Sequence, residues 1–314
     1  MSEITVSSPP TGAVDLRGDP KRRRRESIIA GVFRASAIVS IIISAAIVFS
    51  LFGKALDFAL NVDVAALWAD QGWFPRRGFF DLRSIVAGTF VVTGVAMLVA
   101  APLGLGAAIY LAEFAKPRVR RTLKPILEIL AGIPSVVLGF FALTWISPEI
   151  VQRFFSHATA FNMAAAGLAV GVLITPLVAA VTEDSLRAVP HALREAAYGL
   201  AARKRSVVAR VILPAATSGI VASFILAISR AIGETMIVAI AAGGTGGSDL
   251  ALDPTQPGQT MTAAMTALAI GSDQVKGEAN TFPSLFFVGL LLFFMTMILN
   301  VVSERFVRRV REKY

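Results

Sequence analysis

EAAYGLAARKRSVVARVILP, residues Glu195–Pro214, is a basic amphipathic segment set between two long apolar runs. Pro190 precedes it, and Leu193, Ala196, Ala197 and Leu200 then recur at three- and four-residue intervals, which predicts a helix from His191 to about Ala202. A turn carrying Arg203, Lys204 and Arg205 follows, and a second helical piece from Val207 to Leu213 leads to Pro214. Two helices that cross a membrane need only a short connection, so a loop of about thirty polar-to-amphipathic residues asks for a further purpose. Two purposes fit the pattern. One is an interfacial helix resting on anionic lipid; the other is a docking element for a cytoplasmic protein.

The runs on either side fix the solvent. The chain has 314 residues, 55% of them hydrophobic, and a mean hydropathy of +0.69. Its apolar runs reach the roughly 20 residues that a helix needs to cross a bilayer. Backbone groups in hydrocarbon must be satisfied within the segment, and the runs lack the period of two that barrel strands show. The expected fold is therefore all-α and integral to the membrane, with six transmembrane helices at about 35–56, 85–112, 125–146, 162–182, 217–242 and 283–302.

The net charge of +9 is distributed unevenly. Lys and Arg cluster before the first span, between spans two and three, between spans four and five, and after span six. Only Lys54, Arg76, Arg77, Arg83, Arg153 and Lys276 fall on the opposite side, and Arg230 lies inside a span. By the positive-inside rule both termini and both basic loops are cytoplasmic. The loop from Gly243 to Thr281 then faces outward, carrying Asp249, Asp253, Asp273 and Glu278. Residues 1–27 read as a disordered tail ending in the basic cluster Lys21–Arg25, a topogenic signal attracted to membrane lipid rather than a nucleic-acid site. Residues 28–83 hold the first span and an outer segment, 84–302 the remaining transmembrane domain with its 190–214 loop, and 303–314 a cytoplasmic tail.

Catalytic machinery is sparse. The chain has no cysteine, which excludes disulfides, thiol chemistry and Cys-ligated metal. His157 and His191 fall in loops on opposite sides, so they do not share a metal site. Gly243, Gly244, Gly246 and Gly247 lack a following Gly-Lys-Ser/Thr and read as a flexible helix exit. No metal and no cofactor are expected on this chain, and the reading is not that of an enzyme.

Span five, SFILAISRAIGETMIVAIAAGG, carries Arg230 and Glu234 near its middle, at a spacing that places both on one helix face. A charge at mid-bilayer costs roughly 2.5 to 3.5 kcal/mol or more. Either the two neutralise each other, or Arg230 presents its fork of donors to an oxyanion in a pathway while Glu234 orients it and limits how tightly the anion is held.

The loop pattern resembles the EAA motif of binding-protein-dependent ABC importers: Glu-Ala-Ala, three residues, Gly, nine residues, Ile, one residue, Leu-Pro. Glu195, Ala196, Ala197, Leu213 and Pro214 match; Val211 replaces the Ile, and Ala201 occupies the Gly position. In that family the loop is the coupling helix that fits a cleft on the ATPase. RAIGETM in span five, with LEILAGIPSVVLGFFAL at Leu127–Leu143, resembles the permeases of the phosphate-specific importer from about Ser84 to Val302. GWFPRRGFFDLRSIVAGTF before span two, and Met236, Ile237 and Val238 after Glu234, are similar to the C-type subunit. The resemblance implies a type I (MetI-like) permease core in the plasma (inner) membrane. It also implies an A-type permease partner, two copies of an ATPase carrying ATP-Mg, and an extracytoplasmic phosphate-binding protein. Permeases for sulfate or molybdate, and a membrane scaffold for phosphate sensing, are the alternatives.

Further residues read mechanically. Pro134 and Pro176 remove backbone donors within predicted spans, with Ser135 and Thr175 beside them. Gly132–Ser135 is either a hinge or constriction in the pathway, or an irregularity of packing. Gly167 with Gly171, and Gly104 with Ala108, favour close helix approach within the subunit. Thr260–Gly271 is helix-like and either docks a partner, caps the outer mouth or packs within the loop.

Overall fold

A computed structural model describes residues 20–69, 71–243, 250, 252–270 and 280–310. The acidic residues Asp249, Asp273 and Glu278, with Lys276 and three of the four clustered glycines, lie outside these. The contacts divide the chain between Ser50 and Leu51 into two parts.

The first part is most of helix α1 (Pro20–Asn61). The helix begins at Pro20, so residues 20–27, read from the sequence as disordered, are helical; residues 1–19 lie outside the described set. Between Ile28 and Phe49 most of its apolar side chains are exposed, Ile41 and Phe49 among them, as suits a surface solvated by acyl chains. Ser36 and Ser44 donate to Val32 O and Ser40 O one turn back, which satisfies their hydroxyls without water.

The second part is built on α2 (Leu82–Phe114) and α5 (Met163–Arg187). Asp81 caps α2 by accepting from Arg83 N, and Asn162 caps α5 by accepting from Ala165 N. These two helices approach closely because glycine stands at the crossing. A Cβ on Gly167 would lie 2.6 Å from Val95 Cβ, one on Gly171 2.8 Å from Ala96 O, and one on Gly104 2.6 Å from Val178 Cβ. The small-residue pairs thus serve packing within the chain, as their spacing predicts. Around this axis lie α3 (Pro117–Ala131), α4 (Ser135–Phe154), α6 (His191–Gly199), α7 (Lys204–Ala215), α8 (Thr217–Ile232), α9 (Met236–Ala241), α10 (Met261–Ile270) and α11 (Thr281–Val310).

Two predicted spans and the loop between spans four and five differ in form. Span three does not run through 125–146: the helix breaks at Gly132–Pro134, α3 before the break is amphipathic, and the apolar crossing segment is Ser135–Phe154. Pro134 ends one helix and caps the next, since its ring cannot continue the i→i−4 ladder. Span five is bent by 68° from α7 at Ala216 and broken again at Gly233–Thr235. The predicted first coupling helix stops at Gly199 rather than Ala202, and Lys204 and Arg205 open α7 instead of forming the turn. Among the described residues, five helices are long and apolar enough to cross a membrane, or six if the bent pair is one span.

The segment between α1 and α2 forms a small folded unit. β1 (Trp73–Phe74) pairs antiparallel with β2 (Phe79–Phe80), and Trp73, Phe80 and Phe58 are buried together with Met261 and Val288. Ahead of α10, residues 252–260 turn inward. Thr255, Gln259 and Thr260 are buried, Gly258 N donates to Ala242 O, and Met163 N donates to Gln256 O. This inserted arm carries α10 into the bundle, where Met261, Ala263 and Ala264 are buried.

Candidate functional site

Two breaks in the ladder frame the first candidate site. At Gly233–Thr235 the chain leaves α8, and Thr235 O restarts the ladder by accepting from Ala239 N. The freed Glu234 carbonyl accepts from the buried Thr262 hydroxyl at 2.7 Å, a bond supplied by the inserted arm. That pairing is what a break in an apolar environment requires. The second break, Gly132–Pro134, is followed by α4, which lies against α9: a Cβ on Gly139 would stand 3.2 Å from Ile237 Cα. The helices after the two breaks therefore pack on each other.

Arg230 and Glu234 do not share a helix face, because Glu234 lies beyond the end of α8, within the break. Their closest approach is 3.9 Å, with the Arg230 side chain 57% exposed and that of Glu234 4%. This is a charge pair beyond hydrogen-bond length, so the guanidinium keeps donors to spare. Arg230 opens into a cavity of about 390 Å³ between α3, α5 and α8. Leu127, Ala131, Leu173, Ile174 and Leu177 supply apolar walls, and Lys124, Glu128 and Glu183 the remaining charge. Pro176 lines the same cavity. Pro134 and Ser135 are placed at the start of α4 and are not among the residues lining it.

Glu183, 1% exposed, is the buried carboxylate of this region. Arg120 reaches its Oε1 from Nη2 at 2.5 Å and from Nε at 2.8 Å. Lys124 lies 3.7 Å from Oε2 and Arg187 3.9 Å from Oε1. Cations from α3 and α5 thus converge on one acid, which gives a buried carboxylate its partners in a poorly solvated place.

The second candidate site is the EAAYGLAARKRSVVARVILP loop. Its α6 ends in a Schellman motif: Ala202 N donates to Ala197 O, and Ala201 N to Tyr198 O. Ala201 has φ of 54°, the left-handed region that glycine occupies without strain. This is the physical reason for a glycine at that motif position, and alanine holds the same geometry here. Val207, Val208 and Ile212 bury their side chains with Ala108 and Leu186, at the ends of α2 and α5, and Ala197 and Leu213 pack against that cluster. Glu195, Ala196, Ala201 and Pro214 are exposed; so are Tyr198 and Leu200, the latter 86%.

Arg194 ties α6 down. Its Nη1 lies 2.5 Å from Glu113 Oε1 and its Nη2 donates to Leu186 O at 2.6 Å, so a single side chain grips the ends of both α2 and α5. The sequence reading missed Arg194, Glu113 and Glu183. For Glu113 and Glu183 a signal existed: each is an acid in the last turns of an otherwise apolar run, next to a basic loop, where it needs a cation.

Comparison with known proteins concerns the chain as a whole. Residues 100–312 match the family model described as binding-protein-dependent transport system inner membrane component. The probable ABC transporter permease protein YqgH of Bacillus subtilis is 31% identical over 272 residues, covering 85% of this chain and 87% of that protein. The phosphate transport system permease protein PstC of Mesorhizobium japonicum is 27% identical over 303 residues, covering 91% and 90%. Among solved structures, a bacterial alginate ABC transporter in complex with a pentasaccharide-bound periplasmic protein aligns with a TM-score of 0.63 at 14% identity, over 93% of this chain and 98% of that one.

Proposed function

Because this chain belongs to the binding-protein-dependent transport system inner membrane component family, we propose that it is the C-type transmembrane permease of an ATP-driven phosphate importer. It is a transporter subunit and not an enzyme. The observation that carries the substrate is Arg230, an incompletely paired guanidinium at a helix break, opening into a cavity with apolar walls. A fork of donors in such a place suits a tetrahedral oxyanion. The buried Glu234 nearby keeps the anion from being held too firmly to leave.

Partners and orientation follow the same reading. Both termini lie in the cytoplasm, where the positive-inside rule puts the basic loops. An A-type permease completes the pathway, two ATPase copies hold ATP-Mg and carry out its hydrolysis, and an extracytoplasmic phosphate-binding protein delivers the substrate. This chain's part is mechanical. The exposed side of α6 and its turn, with Glu195, Ala196, Tyr198, Leu200 and Ala201, is the surface for the ATPase. Movement of α6 passes to α2 and α5 through Arg194 and to α8 through α7 and the 68° bend. Alternating access results when these helices swing about the breaks that frame Arg230.

The test is labelled phosphate uptake in phosphate-starved cells lacking this chain, complemented with wild type or Arg230→Gln at equal membrane expression, with sulfate and molybdate uptake alongside. Wild type restores phosphate uptake alone, and the variant falls at least about ten-fold, as loss of one charge-assisted contact in a poorly solvated site implies. Restoration of sulfate or molybdate in place of phosphate would reassign the substrate.

A further inference from the structure

A second cavity, of about 650 Å³, lies where the ends of α2 and α5, the start of α3 and the coupling helix α6 come together. Arg120, Arg121, Lys124, Arg187, His191 and Arg194 line it. The acids available to them are few. Glu183 is shared by Arg120, Lys124 and Arg187, Glu113 is taken by Arg194, and Glu128 is the carboxylate on the lining itself. Arg121 and His191 have no ion pair among the described residues. Lys124 and Arg187 stand beyond hydrogen-bond distance from Glu183, at 3.7 and 3.9 Å, so their donors are not consumed. Cationic charge is therefore in excess in a recess open to solvent, where Arg121 and His191 are exposed. The recess also adjoins the Arg230 cavity, since Lys124 and Glu128 line both.

We propose that this vestibule is a second oxyanion site, an exit station that receives inorganic phosphate after it leaves Arg230 and passes it to the cytoplasm. The inference rests on the phosphate-import reading and on the orientation given above. Lys124 is the shared step between the two cavities. Glu183 competes with the anion for Arg120, Lys124 and Arg187, which keeps occupancy weak enough for release. An anionic lipid headgroup offers the same chemistry, but the lining is built around the far end of a cavity that holds Arg230, and free phosphate is the occupant assigned.

The absence of cysteine from the chain makes a direct test practical. The complete importer carrying His191→Cys is placed in nanodiscs of zwitterionic lipid. Its labelling by a negatively charged methanethiosulfonate reagent is followed by mass on this chain. Inorganic phosphate slows labelling at least about three-fold beyond chloride of equal ionic strength, the factor expected when roughly two-thirds of sites are filled. Adding Arg121→Gln, a cation without an ion pair, raises the phosphate concentration for half-protection about five-fold, as loss of one partly exposed charge implies. Equal effects of phosphate and chloride overturn the proposal. So does protection that appears only with anionic lipid in the nanodisc. Wild-type importer in proteoliposomes is assayed for phosphate uptake in parallel: absent uptake brings down the import reading itself, whereas normal uptake without protection at position 191 removes only the exit station.

Discussion

Two arginine–glutamate pairs in this chain are chemically alike and physically different. Arg194 and Glu113 are 2.5 Å apart with side chains 15% and 6% exposed, and Arg194 also grips a backbone carbonyl. Arg230 and Glu234 are 3.9 Å apart, with the arginine mostly in the open and the glutamate buried. The first pair is a clamp between a surface helix and two membrane helices. The second is an unfinished contact at a break, with donors free to meet something else. The number of charges is equal; completeness of pairing separates a structural joint from the group proposed to bind substrate.

Substitutions test that contrast. Removing the clamp has the largest effect. Arg194→Ala leaves Glu113 buried without its partner and destabilises the chain by about 3 kcal/mol, read as a fall in the thermal midpoint of the detergent-solubilised complex. It also lowers phosphate uptake per ATP hydrolysed, because α6 then moves without pulling α2 and α5. If the midpoint stays within error of wild type, the clamp carries no weight. Arg230→Gln is expected to behave oppositely, with uptake lost and the thermal midpoint kept, since its pair is long and half in the open. A midpoint drop comparable to that of Arg194→Ala erases the distinction.

Smaller changes sharpen it. Thr262→Val takes away the hydroxyl that satisfies the Glu234 carbonyl and costs about 1 to 2 kcal/mol for an unsatisfied buried acceptor; hydrogen exchange at Gly233–Thr235 rises if the break depends on that bond. Ala201→Gly relieves an L-residue at φ of 54° and stabilises the loop by about 1 kcal/mol. Unchanged stability shows that the Schellman turn tolerates alanine at no cost.

The smallest effect concerns Asp253, on the loop arm facing His157 at 3.9 Å. The Thr255 hydroxyl and backbone N–H donate to its carboxylate and, aided by His157, hold it below its ordinary value of 3.8. Depressed in the folded state, it contributes stability that is present above 3.8 and is lost as pH falls through the folded value. Asp253→Asn is expected to remove that small increment near neutral pH and to flatten the acid limb of stability below about pH 4; an acid limb as steep as that of wild type contradicts this origin.

Much of the architecture is legible in the order of residues. Apolar length marks the crossing helices, since hydrocarbon admits little else, and glycine spacing at 167 and 171 marks the close packing of α5, which the α2 contacts bear out. The EAA spacing locates α6 and α7 to within a few residues. The breaks are less legible. The runs on either side of Gly132–Pro134 and Gly233–Thr235 are apolar, so a helical reading carries through both, and Pro134 is the residue that signals most plainly that the ladder must stop. The inserted arm before α10 is less legible still, because Thr255, Gln259 and Thr260 look like loop residues until the backbone places them in the core.

The sequence alone determined what the chain is made to live in, how its charge is distributed, and where the EAA loop lies, because hydropathy, charge and motif spacing are properties of residues taken in order. Tertiary structure decided which charges are spent. Glu113, Glu183 and Glu234 are equivalent letters, and only the approach of α6 to α2, of α3 to α5, and the break after α8 gave them a clamp, a shared cluster and a loose partner. Pairing depends on distances between segments far apart in the chain, from Arg194 to Glu113 and from Arg120 to Glu183, and local order carries no measure of those.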